Sequence, residues 1–260
     1  MLEINNIYKT FNPGTVNEKV ALNGVSLKLN DGDFVTVIGG NGAGKSTLLN
    51  AVAGTWKVDE GSILIDGIDV TKMQDYKRAK FLGRVFQDPM MGTVPTMGID
   101  ENLALAARRG KFRGLAREIT AKERAGFKEI VKILDLGLED RLTSKVGLLS
   151  GGQRQAVTLL MASLKKPKLL LLDEHTAALD PKTAAKVLDA TETIVNRDHL
   201  TTLMITHNMK DAIAHGNRLI MMKDGKIILD ISGEEKKNLT VEELLEKFNS
   251  VGGGDAVNDR

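Results

Sequence analysis

The sequence contains no cysteine in 260 residues. That excludes disulfides, a thiol nucleophile and cysteine-ligated zinc, and it fits a reducing compartment such as the cytosol. An excess of charge of either sign is also missing. With 36 Lys and Arg against 34 Asp and Glu, the formal net charge is +2, so the whole molecule lacks the electrostatic footprint of a nucleic-acid binder. No apolar run approaches the roughly 18 residues that a membrane helix needs. The opening "MLEINNIYKT" has no basic region followed by a long apolar one, so no signal peptide is expected. The expectation is a soluble protein that meets a membrane only through a partner. No internal repeat is visible. What is there is an ordinary globular composition, 42% hydrophobic and 27% charged, long enough to bury a substantial core in one large domain or two small ones.

Along the chain, Val25 to Leu29 alternates and runs into an Asp-Gly turn, and Phe34 to Ile38 reads as a buried strand. The glycine-rich "GGNGAGKST" follows, then an apolar helix through Leu48, Leu49 and Val52. "GSILIDGIDV" reads as a hairpin turning at Asp66-Gly67, and "RLIMMKDGKIILD" as another with its own Asp-Gly turn. "FLGRVFQDP" is a short strand closed by Pro89, while "LLLLDE" and "LTTLMITH" read as buried strands. Residues 98–165 read as helical. Phe127, Ile130, Val131 and Leu134 make one helix-spaced stripe, and "GGQRQAVTLLMASLKKP" reads as a helix with lysines in its last turn, stopped by Pro167. Strands alternating with helices predict a mainly parallel α/β sheet, with antiparallel strands added by the hairpins and a helical lobe inserted over about 90–165. Thr240 and Glu243 form a capping-box start for a last helix, and a disordered tail is expected from Ser250.

Three stretches carry chemistry. "GGNGAGKST" has Gly39, four residues, then Gly44, Lys45 and Ser46, which is the phosphate-loop pattern. In that pattern glycines let backbone N–H groups close on phosphate oxygens, the lysine supplies a point charge, the serine offers a hydroxyl to magnesium, and the following helix presents its positive end. A phosphate-loop site also needs a carboxylate at the end of a neighbouring strand to hold magnesium, and Asp173 ends such a strand. Glu174 would point to the opposite face by strand alternation, and is the candidate to orient or deprotonate an attacking water. "LLSGGQRQA" places Ser150, Gly151, Gly152 and Gln153 at another helix start, a second anion cradle.

With these stretches in this order, the chain resembles the ATP-binding-cassette ATPases, the motor subunits of ABC transporters, from residue 2 to about 248. The resemblance implies an α/β fold, a P-loop NTPase (RecA-like) core with an antiparallel β subdomain and an inserted helical subdomain. Residues 1–249 would make a single nucleotide-binding domain, ahead of a disordered tail over 250–260. It implies ATP and Mg2+, with nucleotide held by Gly39, Gly40, Asn41, Gly42, Ala43, Gly44, Lys45, Ser46 and Thr47, and metal by Ser46, Gln87 and Asp173. Glu174 and His207 become the catalytic pair, His207 in "LMITHN" contacting the terminal phosphate. Phe11 in "IYKTFNPG" matches the aromatic that stacks on adenine, with Tyr8 a competitor for that role. Gln87 in "VFQDP" matches the glutamine that reaches magnesium and senses the transmembrane partner. Asp180 in "AALD" matches the segment that speaks across a dimer. Two copies would pack head to tail, each ATP meeting Ser150, Gly152 and Gln153 of the second copy, which explains why one chain needs two anion cradles. His175 departs from the family, which most often has proline after the catalytic glutamate; tolerated packing and a modulating role for its charge both stay open. His199 and His215 match nothing and read as surface residues.

The resemblance further implies an integral-membrane permease, an extracytoplasmic substrate-binding protein and a peripheral seat on the cytoplasmic face of the membrane. Readings from other classes remain: a soluble accessory ATPase of the kind that assembles iron–sulfur clusters, or a mechanical ABC protein on nucleic acid or ribosomes. Chromosome-maintenance types need a long coiled coil between the two halves of the site, and only residues 88–149 separate Gln87 from Ser150. Ribosome-associated types carry two cassettes, and this chain has one, so no nucleic-acid partner is expected. The long basic segment after "ENLALA" resembles importers of amino acids and related solutes, and "DEHTAALDP" resembles cassettes paired with a binding protein for aromatic amino acids; export is the alternative direction. The basic stretch over 108–124 reads as a solvated surface, or as a face toward lipid headgroups or an acidic permease surface. It lacks the aromatic platform of a nucleic-acid site. Beyond residue 232 no regulatory domain is expected, only one short helix.

Overall fold

The structure, a computed structural model, describes residues 1–110 and 119–252. The middle of the basic stretch and residues 253–260 of the tail expected over 250–260 lie outside the described residues. The chain divides into two compact units, one formed by residues 1–79 with those from 201 onward, the other by residues 80–200.

The first unit opens with β1 (Leu2–Phe11), β2 (Lys19–Leu29), β3 (Phe34–Ile38), α1 (Lys45–Ala53), β4 (Glu60–Ile65), β5 (Ile68–Asp69) and α2 (Asp75–Arg78). β1 pairs antiparallel with β2 and with β4, and β5 completes a sheet of order β2-β1-β4-β5. Leu27 and Leu29 of β2 and Ile63 and Ile65 of β4 are buried with more exposed residues between them, the period of two that covers one face. The expected hairpin is present, with Asp66 and Gly67 at φ 54° and 74°, the left-handed pair that a two-residue primed turn requires.

The second unit contains β6 (Leu82–Val85), α3 (Ile99–Ala107), α4 (Ala121–Lys132), α5 (Gly151–Ser163), β7 (Leu169–Asp173) and α6 (Pro181–Asp198). β6 and β7 are parallel, in register from Leu82↔Leu169 to Val85↔Leu172. The four leucines of β7 are buried, as both faces of a parallel strand normally are. α4 starts on a capping box in which Glu123 accepts from the Thr120 N–H at 2.8 Å and its own N–H donates to the Thr120 hydroxyl at 3.1 Å. Those Thr120 bonds hold the Glu123 carboxyl below its ordinary pKa.

The helical expectation over 98–165 needs two corrections. Between α4 and α5 the chain makes turns and one 3-10 turn at Val146–Leu148, because Asp135 and Gly137 take left-handed φ of 50° and 64° and end the helix, although the buried Leu134, Leu138, Leu142 and Val146 keep a four-residue spacing. α5 ends at Ser163, so Lys165 and Lys166 lie beyond its last turn rather than in it. Lys166 takes a left-handed φ of 44° immediately before Pro167, where a proline disfavours continuation of a helix. Lys166 instead pairs with Asp198 at 3.0 Å.

The chain then returns to the first unit as β8 (Thr202–Ile205), α7 (Met209–Ala214), β9 (Arg218–Lys223), β10 (Lys226–Ser232), α8 (Gly233–Lys237) and α9 (Val241–Gly252). Here the strands run β10-β9-β3-β8, with β3 parallel to both β8 and β9 and the β9–β10 hairpin antiparallel. α9 begins on the expected box, Thr240 N–H to Glu243 at 2.9 Å and Glu243 N–H to the Thr240 hydroxyl at 3.2 Å. Its Leu244 and Phe248, one turn apart, join Leu219, Met221 and Ile231 in a buried cluster. The helix runs on to Gly252, so Ser250 to Gly252, expected at the start of the tail, are helical.

One buried cation closes α1. Arg78 is 1% exposed, and its guanidinium donates to the carbonyls of Ala51 (2.7 Å) and Val52 (3.0 Å) in the last turn of α1, and to those of Thr71 (3.0 Å) and Met73 (2.9 Å). A positive charge there bonds carbonyls of the helix's last turn, of which Ala51's also accepts from the Gly54 N–H at 3.2 Å, and meets the negative end of its dipole. Arg78→Met should remove the guanidinium donor from those four carbonyls and cost about 3 kcal/mol, since truncating one side of a buried polar network strands the other. Urea unfolding of the variant against the parent measures it.

Candidate functional site

The phosphate-loop residues leave the end of β3 and enter α1. Gly39 (φ 149°), Gly42 (80°) and Gly44 (101°) have backbones that L side chains rarely adopt. A Cβ at Gly39 would lie under 3.0 Å from the Met222 carbonyl oxygen, and one at Gly44 equally close to that of Ala21. Gly40 faces open space, so its glycine is not sterically required. The loop is pinned on its far side by the β9–β10 turn, where the Gly225 N–H donates to the Ala43 carbonyl at 3.1 Å and the Gly225 carbonyl accepts from Asn23 N–H at 2.9 Å. Lys45 is 7% exposed and its ammonium donates to the loop's own carbonyls, Gly39 at 2.7 Å and Gly40 at 3.2 Å. Ser46 and Asn41 are exposed and Thr47 half-buried.

Phe11 ends β1 and meets Trp56 edge to face, ring centroids 4.9 Å apart at 79°. The Lys9 ammonium lies 5.7 Å from the Phe11 centroid and is paired with Asp59 at 2.6 Å. Burial works to raise the Asp59 pKa, but the Lys9 and Thr10 N–H bonds leave it below the ordinary value. Tyr8, the competing aromatic, sets its hydroxyl over Gly24 instead, 2.9 Å from where a Cβ there would sit. His207 follows β8 and is exposed, just ahead of Asn208, whose side-chain oxygen caps α7 by accepting from the Lys210 N–H at 2.9 Å. Asp211, in the first turn of α7, has its pKa raised by burial, against the opposing influence of His215 and His207.

In the second unit Asp173 ends β7, and the Arg84 guanidinium lies 3.5 Å from its carboxylate. Burial lowers the Arg84 pKa while Asp173 works to raise it. Glu174 falls beyond the strand, with a left-handed φ of 43°. Its direction is therefore set by this turn and not by the strand alternation expected from the sequence. Such a conformation in a non-glycine residue is held by its surroundings. The next residue supplies part of that hold: His175 is 1% exposed, and its Nε2 lies 3.1 Å from the Thr191 hydroxyl in α6. That hydroxyl donates to the Val187 carbonyl at 2.7 Å, so toward the ring it accepts, and Nε2 carries the hydrogen. Of the two readings left open for His175, the ring's placement is that of buried, hydrogen-bonded packing.

Ser150 is the N-cap of α5: its hydroxyl oxygen accepts from Gln153 N–H at 3.3 Å while the Gln153 side chain accepts from Ser150 N–H at 3.2 Å. Gly152 has a packing reason of its own, because a Cβ there would overlap the Thr183 methyl of α6. Asp180 caps α6, accepting from Thr183 N–H at 3.1 Å, and those Thr183 bonds lower its pKa. Gln87 is exposed just past β6. Two side chains of α5 that the motifs did not single out fix its neighbours. Gln155 donates to the Phe86 carbonyl at 2.7 Å, and the buried Arg154 bonds to the Thr93 hydroxyl at 2.9 Å and to the Met90 sulfur. His199 is exposed as the left-handed C-cap of α6, and His215 is half-buried.

Lys45, Ser46, Thr47, Phe11 and His207 thus belong to the first unit, and Gln87, Ser150, Gly152, Gln153, Asp173, Glu174 and Asp180 to the second. Among the described residues no three His, Asp or Glu side chains cluster to hold a metal by themselves. Trp56 and Gly225 escaped the sequence reading. Trp56 was signalled only as the sole tryptophan, and Gly225 only as a turn residue.

Residues 22–177 match a family model described as ABC transporter. A tyrosine transport ATP-binding protein of Clostridioides difficile is 47% identical over 95% of this chain and 98% of its own. The spermidine/putrescine import ATP-binding protein PotA of Haemophilus ducreyi is 33% identical over 96% of this chain and 64% of its own. Among solved structures, the dimeric post-hydrolysis state of the ATP-binding cassette MJ0796 bound to ADP and Pi aligns with a TM-score of 0.74, at 32% identity over 89% of this chain and 98% of that one.

Two glycines of the loop should separate sharply on substitution. Gly44→Ala, strained in φ and crowded by Ala21, should lose about 3 kcal/mol of stability, and Gly40→Ala less than about 0.5 kcal/mol, in denaturant unfolding. In α5, Gly152→Ala should cost about 1–3 kcal/mol by overpacking, and adding Thr183→Ser, which removes the obstructing methyl, should recover most of it.

Proposed function

The chain belongs to the ABC transporter family and is one of its ATP-hydrolysing subunits, and on that premise we propose that two copies, packed head to tail, drive import of an aromatic amino acid such as tyrosine through a separate membrane permease. The observation that carries the reading is the 47% identity to a tyrosine transport ATP-binding protein along nearly the full length of both chains. Among the described residues no helix is long and apolar enough to cross a membrane, so the route for solute is assigned to the permease. A substrate-binding protein outside the cell and a seat on the cytoplasmic face complete the assembly.

In this reading adenine stacks on Phe11, whose competitor Tyr8 is engaged over Gly24. The polyphosphate occupies the N–H cradle of residues 39–47, and the Lys45 ammonium exchanges the Gly39 and Gly40 carbonyls for phosphate oxygens. The donor set suits Mg2+: the Ser46 hydroxyl, the Gln87 amide and the Asp173 carboxylate are hard oxygen donors. Too few for a self-sufficient protein cage, they fit an ion that takes one or two carboxylates and completes its shell with phosphate and water. When bound, Mg2+ supplies neutralisation of charge on the β- and γ-phosphates. Glu174 orients the attacking water and takes its proton, and His207 hydrogen-bonds the γ-phosphate. Ser150, Gly152 and Gln153 of the second copy close on the same phosphate. Ser150 serves there and as a cap at once, because its oxygen accepts from Gln153 while its hydrogen stays available to donate. Asp180 fixes the start of α6 beside the dimer-facing segment. Binding of ATP closes the pair, hydrolysis reopens it, and the permease converts that motion into alternating access.

Glu174→Gln should bind Mg-ATP normally, accumulate as a dimer, and turn over roughly 10²–10⁴ times more slowly, the range for a positioned base. Lys45→Ala should weaken nucleotide binding itself. Capture of Glu174→Gln with Mg-ATP from solubilised membranes should retain a multi-span permease, and cells lacking the chain should lose uptake of labelled tyrosine. Near-normal turnover of Glu174→Gln overturns the catalytic assignment; capture of soluble partners alone overturns the transport reading.

A further inference from the structure

Beside the phosphate loop stands a second lysine that no motif predicts. Lys19 opens β2 and is the register partner of Phe11 on β1, so the two residues face each other across the antiparallel pair at about 5 Å between Cβ atoms. From there its side chain reaches the loop. A Cβ at Gly42 would lie 3.1 Å from the Lys19 ammonium nitrogen, whose side chain is the sole neighbour within 4 Å of that point. Gly42 is one of the left-handed glycines whose N–H groups shape the cradle. The two lysines near Phe11 differ in one respect. Lys9 is neutralised by Asp59 at 2.6 Å, whereas the Lys19 ammonium makes no hydrogen bond or ion pair among the described residues.

We propose that Lys19 is a second phosphate-binding cation of the nucleotide site, holding the α- and β-phosphates from outside the loop while Lys45 serves the terminal end. The inference rests on the nucleotide reading given above and adds to it a ligand that the phosphate-loop pattern does not contain. A nucleotide whose base rests on Phe11 and whose phosphates lie in the loop must run past Lys19, because Lys19 is opposite the first and its ammonium stands where a side chain on Gly42 of the second would sit. An exposed ammonium with no carboxylate partner can turn to phosphate without breaking another bond. The consequence is a site whose affinity depends on the number of phosphates and on salt through two lysines, one in the loop and one outside it.

Nucleotide binding to the full chain, by calorimetry with ATP, ADP and adenosine as probes, tests this. Lys19→Ala should weaken ATP and ADP by about tenfold each, leave adenosine within twofold, and flatten the salt dependence of the ATP Kd, as loss of one charge-assisted contact would. Lys19→Arg should restore most of the affinity, because it returns a cation that can bond the phosphates. Unchanged ATP and ADP affinity in Lys19→Ala overturns the proposal, and so does an equal loss of adenosine, which would place the effect at the base or the fold. Lys45→Ala run in parallel keeps the two readings apart. If it loses ATP while Lys19→Ala does not, only Lys19 is wrongly assigned; if the parent protein binds no ATP, the nucleotide reading itself fails.

Discussion

Two carbonyl oxygens, those of Ala21 and Met222, stand so close to Gly44 and Gly39 that neither position has room for a side chain. This steric limit fixes the path of the chain between β3 and α1, and the rest of the site follows from that path. With φ held left-handed, the loop curls back over the end of β3 and presents N–H groups to its interior. The curl brings the Gly39 and Gly40 carbonyls to Lys45, so the ammonium is held before any phosphate arrives. At the other end of α1, Arg78 satisfies the last carbonyls of the helix whose first turn carries Lys45 and Ser46. The helix is thus fixed at one end by absent side chains and at the other by one large, buried one.

Close approach organises the second unit in the same manner. Gly152 lets α5 and α6 come together where Thr183 would otherwise collide, and Gly83 lets β6 approach the Ala162 carbonyl of α5. Each of these contacts positions a residue of the proposed site: Ser150 at the tip of α5, Asp180 at the tip of α6, and Gln87 beyond β6 through the Gln155 bond. Glu174 is the exception, set by a left-handed turn whose next residue, His175, is anchored on Thr191. Where the family most often places proline, this chain supports the turn by a hydrogen bond.

The sequence was most legible where the signal is local. Asp66-Gly67 and Asp224-Gly225 announce their turns because both positions need positive φ, and the leucines of β7 announce a strand covered on both faces. The phosphate loop, the α5 cap and the α9 capping box were readable for the same reason: a few adjacent residues satisfy one another. The misreadings lie where distant packing decides. Pro167 announces a stop but not that α5 ends as early as Ser163, the four-residue spacing of Leu134 to Val146 imitates a helix that residues 133–150 do not form, and nothing local says that α9 continues to Gly252 over the cluster around Met221. The supports of the site were invisible for that reason too: Gly225 beneath Ala43, Lys19 over Gly42 and Trp56 against Phe11 are contacts across the fold, without a spacing to betray them.

The support of the loop by Met222 and Gly225 also sets an order in time. A nascent chain emerges N-terminus first, and the sheet β2-β1-β4-β5 is complete by Asp69. The phosphate loop leaves the ribosome earlier than β4, yet its far wall is made by the β9–β10 turn, more than half the chain later. Its neighbours in the parallel sheet, β8 and β9, are as late. Pairings this distant in sequence form slowly and only after their second partner exists. A segment of the proposed site made early is therefore among the last to be finished, and an incomplete chain stopped short of the final hairpin carries the sequence of a nucleotide site without its shape.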